Sequence, residues 1–294
     1  MPRRKIVIVG GGPAGLEAAR VSAERGHKVV LFDANRELGG QVRLGAQGSW
    51  RRDLIGIVDW REAELERLGV DVRLNVFAEA EEVRGETPDV VIVATGGLPD
   101  MEWLEGAKHC TSVWDSLSGA AAIKEGAIIY DGTGRHPAPL CAEKAAMDGK
   151  RTTLVSLDAY LGQDLVYAER FGWKRRLYKL GTPTMFDHHL KAVRLAGNEL
   201  EALFVNDATL EEVVLRAPQV VVECGTLPLD RLYQDLRQHS VNNGVTDIDA
   251  LLAGDAQPIR AEGGQFELYR VGDAISSRNV HAAVLDSLRL SSAL

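Results

Sequence analysis

Short runs of β-branched and aliphatic residues alternate with longer amphipathic stretches along the chain, the pattern of βαβ units that feed a parallel sheet. The runs predict strands over Lys5 to Val9, Lys28 to Asp33, Asp71 to Asn75, Val90 to Ala94, Ala127 to Tyr130, Thr152 to Ser156, Glu212 to Leu215, Val220 to Glu223 and Tyr269 to Val271. Helical spacing fits Ala14 to Glu24, Arg51 to Leu68, Ala138 to Met147, a stretch around Asp164 to Lys179, and Ala282 to Leu290. The segments Gly96 to Gly106 and Gly244 to Gly264 are rich in Gly, Pro and Asp and read as loops. A strand, glycine turn and helix over residues 5–24 recur in altered form over 127–147, which predicts two similar α/β folds, one inserted into the other.

The first turn carries the clearest chemistry. In Ile6-Val7-Ile8-Val9-Gly10-Gly11-Gly12-Pro13-Ala14-Gly15, the glycines at 10, 12 and 15 match G-x-G-x-x-G between a predicted strand and a predicted helix. Gly10 permits the tight turn, Gly12 lets backbone approach a pyrophosphate, and Gly15 lets the helix pack on the strand. The helix start at Pro13 and Ala14 adds amide donors and a positive dipole end. Asp33, at the end of the second strand and followed by Ala34, stands where a ribose needs an acceptor. The alternative, a purely structural turn, is disfavoured because strand, loop, helix, second strand and acid occur together.

Two further segments choose between dinucleotides. Val90 to Val93 leads into Ala94-Thr95-Gly96, and Tyr269-Arg270-Val271 leads into Gly272-Asp273-Ala274. In this order and at these distances, the three motifs resemble the FAD contacts of the two-dinucleotide-domain flavoproteins of the disulfide-reductase-like superfamily. Leu38-Gly39-Gly40-Gln41-Val42, and the run Gly272-Asp273-Ala274 through Asn279-Val280-His281, resemble the C-terminal half of the trimethylamine dehydrogenase and 2,4-dienoyl-CoA reductase family. The resemblance spans nearly the whole chain. It implies an α/β fold of two Rossmann-like domains: an FAD-binding domain over 1–115 and 226–294, and an NAD(P)-binding-like domain inserted over 116–225. It also implies cofactor contacts from Gly40, Gln41, Ala94, Thr95, Gly96, Gly272, Asp273, Asn279 and Val280, beside the residues of the first turn. Asp273 is expected on the ribityl chain, and the helix starting near Asn279 is expected to point its dipole at the reduced flavin.

The second loop, Tyr130-Asp131-Gly132-Thr133-Gly134-Arg135-His136-Pro137, departs from the fingerprint. Asp131 stands where the first glycine belongs and Thr133 where the second does. A carboxylate there repels a pyrophosphate, so NAD(P)H binding by this domain is disfavoured. Tyr-Asp-Gly-x-Gly resembles the amine-dehydrogenase branch of the family. Arg135 and His136 either hold a phosphate or sit in a solvated turn.

Composition narrows the partners. With 34 Lys and Arg against 42 Asp and Glu, a net charge of −8, the chain is not expected to hold nucleic acid by its phosphates. Cys110, Cys141 and Cys224 are too scattered for a CxxC, a zinc site or an iron–sulfur ligand set, and are expected as reduced thiols in the cytoplasm. No run of 18 apolar residues predicts a membrane span. The adjacent His188 and His189 lack helical metal-ligand spacing, so no metal site is expected. Lys174-Arg175-Arg176 reads as a surface stripe, Trp103 and Trp114 as packing residues, and Cys224 as a buried thiol.

Family members of this kind carry a TIM barrel with FMN and an iron–sulfur centre ahead of this region. The expected function is therefore an FAD-binding subunit of a heteromeric amine or N-methyl-amine dehydrogenase or demethylase, whose barrel partner holds the substrate; the Met one short step before the first strand favours a subunit over a fragment. Two alternatives stand beside it: a self-contained NAD(P)H-dependent flavin reductase, and a non-catalytic module holding ADP or FAD. No catalytic side chain is identified, because flavin itself accepts the electrons.

Overall fold

The computed structural model describes residues 2–255 and 257–294. In chain order its elements are β1 (Lys5–Val9), α1 (Pro13–Glu24), β2 (Lys28–Phe32), α2 (Gln41–Gly45), α3 (Gly56–Leu68), β3 (Asp71–Arg73), α4 (Ala80–Gly85), β4 (Val90–Val93), β5 (Gly97–Pro99), β6 (Thr111–Ser112), α5 (Val113–Ser118), β7 (Ala127–Asp131), α6 (Pro137–Met147) and β8 (Thr152–Ser156). There follow α7 (Tyr167–Lys179), β9 (Thr184–Met185), β10 (His188–Ala196), β11 (Glu199–Asn206), β12 (Glu212–Ala217), β13 (Val220–Glu223), β14 (Thr226–Pro228), α8 (Arg231–Arg237), α9 (Ile248–Ala253), β15 (Glu267–Arg270) and α10 (Val280–Ala293). They form two compact units, one of residues 1–43, 53–98 and 226–294, the other of 44–52 and 99–225.

Unit 1 is built on a parallel sheet in the order β15-β4-β1-β2-β3. Its strands β1, β2 and β4 are buried on both faces, which is why they read as nearly unbroken aliphatic runs rather than alternating ones. Successive side chains still point to opposite sides. Ile6, Ile8, Val29, Leu31, Val90 and Ile92 pack with Leu16, Ala19, Leu65 and Leu290 from α1, α3 and α10. Val7, Val9, Val30, Phe32, Val91 and Val93 pack on the other face with Tyr233, Leu236 and Phe266. The glycine turn lies at the carboxyl end of β1, the central strand, where open α/β sheets take their ligands.

Unit 2 shares four strands of that arrangement: its parallel sheet runs β6-β13-β7-β8-β9, again with the strand before the glycine turn in the centre, but its edge strand β6 precedes the others in the chain whereas β15 follows them. One face packs Ile129, Leu154 and Val221 against Leu140, Trp173 and Leu177 from α6 and α7. The other is covered by an antiparallel sheet, β10-β11-β12, whose Leu190, Val193, Ala202 and Phe204 meet Ile128, Tyr130, Val155 and Val222. Among the described residues no helix is long and apolar enough to cross a membrane.

Several expectations need correction. The segment Gly96 to Gly106 contains β5, and Gly244 to Gly264 contains α9; Ala256 in the latter lies outside the described residues. The helix expected over Arg51 to Leu68 starts as a 3-10 turn at Arg52–Ile55 and becomes α-helical only from Gly56. β10 and β11 were not foreseen, because their solvent faces carry charge and their apolar positions look like helix faces. The second unit begins at Pro99 rather than at 116, since β6 pairs with β13, and it also takes in residues 44–52.

Phe204 is fully buried and its ring centroid lies 6.1 Å from that of Tyr130, so it joins the antiparallel sheet to the parallel one. Phe204→Ala is expected to lower unfolding stability by about 3–5 kcal/mol in chemical denaturation.

Candidate cofactor site

The turn after β1 exists only because three glycines let backbone atoms approach closely. Gly10 has φ +108°, and a Cβ there would lie 2.2 Å from the Ala94 carbonyl oxygen at the end of β4. A Cβ on Gly15 would lie 1.8 Å from the Gly10 carbonyl oxygen, so α1 rests directly on the turn. Gly272, at φ +64°, comes so close to the start of α1 that its Cβ would lie 2.8 Å from that of Ala14. The first and third sequence motifs are thereby in contact, with the second beneath them.

Gly12 is different. Nothing lies within 4 Å of its Cβ position. It is the N-cap of α1, no side chain caps that helix end, Pro13 occupies the first turn and no acidic residue stands there. The amide donors and positive dipole end of a 12-residue helix thus begin beside open space, a cradle suited to an anion such as a pyrophosphate. Gly40, at φ +51°, approaches from the other side, its Cβ position 3.4 Å from the Gly12 Cα. Gly39 N–H donates to the Gly11 carbonyl oxygen at 2.8 Å and ties this segment to the turn.

Asp33 is buried at the end of β2, 5% exposed. Its Oδ2 accepts from Gly11 N–H at 2.5 Å, while Oδ1 accepts from the N–H (2.7 Å) and Nδ2 (3.0 Å) of Asn35. The carboxylate therefore braces the glycine turn, a role that spacing alone did not reveal; its neighbour Ala34 is exposed. The Thr95 hydroxyl donates to the Leu229 carbonyl oxygen, and Leu229 N–H donates to that of Gly96 at 3.0 Å. Thr95 thus stitches the end of β4 to the returning chain, and the Cβ position of Gly96, at φ +74°, is open.

Gln41 and Asp273, 232 positions apart, also meet, with Nε2 and Oδ2 3.4 Å apart. Asp273 sits in a 3-10 turn, Gly272–Ala274, and also accepts from Arg278 N–H at 3.4 Å. Asn279 caps α10, its Oδ1 accepting from Ala282 N–H at 2.8 Å, and Val280 packs into the core below. All the candidate positions lie in unit 1. Behind them, the buried Glu17 of α1 meets Arg20 at 2.7 Å and Arg61 at 2.8 Å. Burial alone would raise its carboxyl, but the two guanidiniums outweigh burial and hold it below the usual range.

The turn of unit 2 has a different interior. Asp131 is completely buried, and its Oδ1 accepts from the N–H groups of Thr133 (3.1 Å) and Gly134 (2.9 Å). Glu223 is its register partner on β13. Burial pushes both carboxyls up to about 7, against amide hydrogen bonds that pull the other way. His136 does not face a phosphate site: its Nδ1 accepts from the Trp173 indole N–H at 2.9 Å, and Arg51 Nη1 lies 3.1 Å from Nε2. Burial and then the Arg51 charge depress its pKa to about 4. Arg135 lies 3.4 Å from Asp164. Lys174 and Arg175 are exposed, as a surface stripe should be, whereas Arg176 bonds to Ser49 Oγ at 2.9 Å. Trp103, 44% exposed, is not a core residue; with Tyr130, Leu157, His189 and Cys224 it lines a cavity of about 200 Å³.

Residues 4–284 match the family model described as pyridine nucleotide-disulphide oxidoreductase. The chain is 46% identical over 294 residues to a multifunctional alkene reductase/demethylase of Caballeronia cordobensis, covering 99% of this chain and 44% of that protein. It is 44% identical over 290 residues to a probable N-methylproline demethylase of Rhizobium meliloti (strain 1021), covering 98% and 43%. Among solved structures, 2-naphthoyl-CoA reductase superposes with a TM-score of 0.82 at 25% identity, covering 99% of this chain and 40% of that one. The chain thus spans less than half the length of the relatives it matches.

Gly12→Val is expected to leave thermal stability close to that of the wild type, because its Cβ enters open space, while FAD retention falls at least about tenfold. Stoichiometric flavin absorbance in the purified variant would remove the cradle at Gly12 from the site. His136 gives a pH test. Its folded pKa lies below the unfolded value, so above about pH 6.5 both states are neutral and its contribution is flat. As pH falls from about 6.5 to about 4, only the unfolded state takes the proton and stability declines, by up to about 3 kcal/mol. Denaturation midpoints across that window should show a shallower decline for His136→Gln.

Proposed function

Because the chain belongs to the pyridine nucleotide-disulphide oxidoreductase family, we propose that it is the FAD-binding component of an oxidoreductase of the amine or N-methyl-amine demethylase type. In this reading its electrons pass to or from a partner polypeptide that carries the substrate site. The observation that carries the FAD assignment is the open cradle beside Gly12, bordered by a helix start without a side-chain cap and flanked by Gly40 and Gly272. Bound there, FAD would supply hydride acceptance and one-electron transfer, chemistry that no side chain of this protein offers.

The chain's own residues bind and orient. The first-turn amides of α1 take the pyrophosphate beside Gly12. Asp33 keeps the turn in shape through Gly11 and retains lone pairs for a ribose hydroxyl, since each carboxylate oxygen accepts more than one hydrogen bond. Asp273, with Gln41 beside it, accepts from the ribityl chain, and the N-terminus of α10 supplies a positive dipole end for charge that accumulates on reduction. Thr95 and Gly96 form the wall.

The partner reading draws on the relatives: two of them carry demethylase in their names and are more than twice as long as the matched region. We assign the substrate pocket to that further length, as a barrel subunit with FMN and an iron–sulfur centre, because the three dispersed cysteines of this chain cannot ligate a cluster. Cytoplasmic placement belongs to the same proposal.

The test is an absorption spectrum of the purified chain followed by anaerobic titration with NADH and NADPH. A flavin band near about 450 nm that persists through both additions is the expected result. Bleaching by either nucleotide would make the chain a reductase in its own right, and a colourless folded protein that takes up ADP but not FAD would leave a non-catalytic module.

A further inference from the structure

We propose that Asp131 is the built-in anion of the second glycine turn: its carboxylate occupies the amide donors that a dinucleotide phosphate would need, which makes it the residue that denies NAD(P)H to unit 2. The inference rests on the FAD reading of unit 1 and concerns which electron donors the chain can accept.

Each turn follows the central strand of a parallel sheet in which four strands correspond, β4-β1-β2-β3 in unit 1 and β13-β7-β8-β9 in unit 2, so their donors can be compared position by position. In the first, Gly10 places no side chain at the end of β1, and the space beside Gly12 is open. In the second, Asp131 occupies the position of Gly10 and folds its Oδ1 back under the loop, 3.1 Å from Thr133 N, 2.9 Å from Gly134 N and 3.4 Å from Thr133 Oγ1. Successive backbone N–H groups converging on one oxygen form an anion nest, and here the anion comes from the protein itself. Completely buried and tied to two amides, this carboxylate cannot be displaced by a ligand without leaving a charge desolvated and unpaired.

The surroundings reinforce the exclusion. Glu223 is the register partner of Asp131, so the two acids share one face of the sheet, and Asp131 Oδ2 has no hydrogen-bond partner. A third carboxylate, Asp158, leans on the loop so closely that a Cβ on Gly134 would lie 2.3 Å from its Oδ2. Asp164 N–H donates to the Gly134 carbonyl oxygen at 3.1 Å and holds the loop in place. The loop's one cation, Arg135, is drawn toward the Asp164 carboxylate. Burial is the leading cause of the upward displacement of both carboxyls, with the Asp158 charge adding to it at Asp131 and the Asp131 charge adding to it at Glu223. A filled nest leaves a pyrophosphate no donors.

Isothermal titration of the full flavin-loaded chain with NAD⁺ and NADP⁺ tests this, with FAD content read from absorbance in the same samples. The wild type and Asp131→Asn, whose amide oxygen can still fill the nest, should show no saturable binding. Asp131→Gly should bind at least about tenfold more tightly than either, the equivalent of ~1.4 kcal/mol from released amide donors. Saturable binding to the wild type would overturn the proposal. So would a gain in Asp131→Asn equal to that in Asp131→Gly, which would assign the exclusion to charge alone. Amide hydrogen exchange supplies a readout independent of the glycine variant's folding. Thr133 and Gly134 should be protected in the wild type without nucleotide, and fast exchange that slows only on adding NADP⁺ would refute an internal anion. Loss of FAD from the wild type would instead count against the reading of unit 1, leaving the nucleotide result to be judged separately.

Discussion

The packing of α1 onto the turn that precedes it is the constraint on which the rest of unit 1 depends. Gly15 touches the Gly10 carbonyl, Gly10 touches the Ala94 carbonyl, and Gly272 touches Ala14, each at a distance that forbids a β-carbon. These contacts bring the ends of β1 and β4 and the segment after β15 to one point, with the helix N-terminus above them. Interiors are packed densely enough that one methylene is felt, so a methyl group at any of these glycines must displace backbone. The same contacts leave Gly12 facing nothing. A binding cradle and a close-packed knot are therefore produced by one short sequence, and neither can be altered without the other.

This explains what could be read from the chain. The strands of unit 1 were legible because both faces of a parallel strand are buried, which writes long aliphatic runs such as Ile6 to Val9 and Val90 to Val93. The glycine turn was legible because its spacing is set by backbone geometry rather than by distant partners. The antiparallel β10 and β11 were not, since a half-exposed strand such as His188–Ala196 shares its composition with a helix and is fixed only by pairing across a turn. The domain edge at Pro99 was equally hidden, because a two-residue strand such as Thr111–Ser112 has no periodicity of its own.

Side-chain roles were less legible than positions. Asp33, Thr95 and Asn279 all stand where the motifs place them, yet each spends its hydrogen bonds on the protein: on the Gly11 amide, on the Leu229 carbonyl and on the start of α10. Such residues hold the shape of a site before any ligand arrives, which lowers the ordering cost of binding. Asp273 and Gln41 show the reverse case. They meet across 232 positions, a proximity no local pattern encodes.

Asp33 and Asp131 show how little separates a receptive turn from a closed one. Both are buried acids that accept from glycine-loop amides, and both stabilise the loop they touch. Asp33 does so from the neighbouring strand and takes only the Gly11 N–H, so the helix start beyond Gly12 stays available. Asp131 does so from inside the turn and takes two successive amides, which are the donors a phosphate would use. A carboxylate moved from the adjacent strand to the turn itself thus keeps the fold and changes what it can hold. In the proposed reading, two sheets that share four corresponding strands differ in ligand without rearrangement of those strands, because the discrimination resides in which oxygen reaches the nest first.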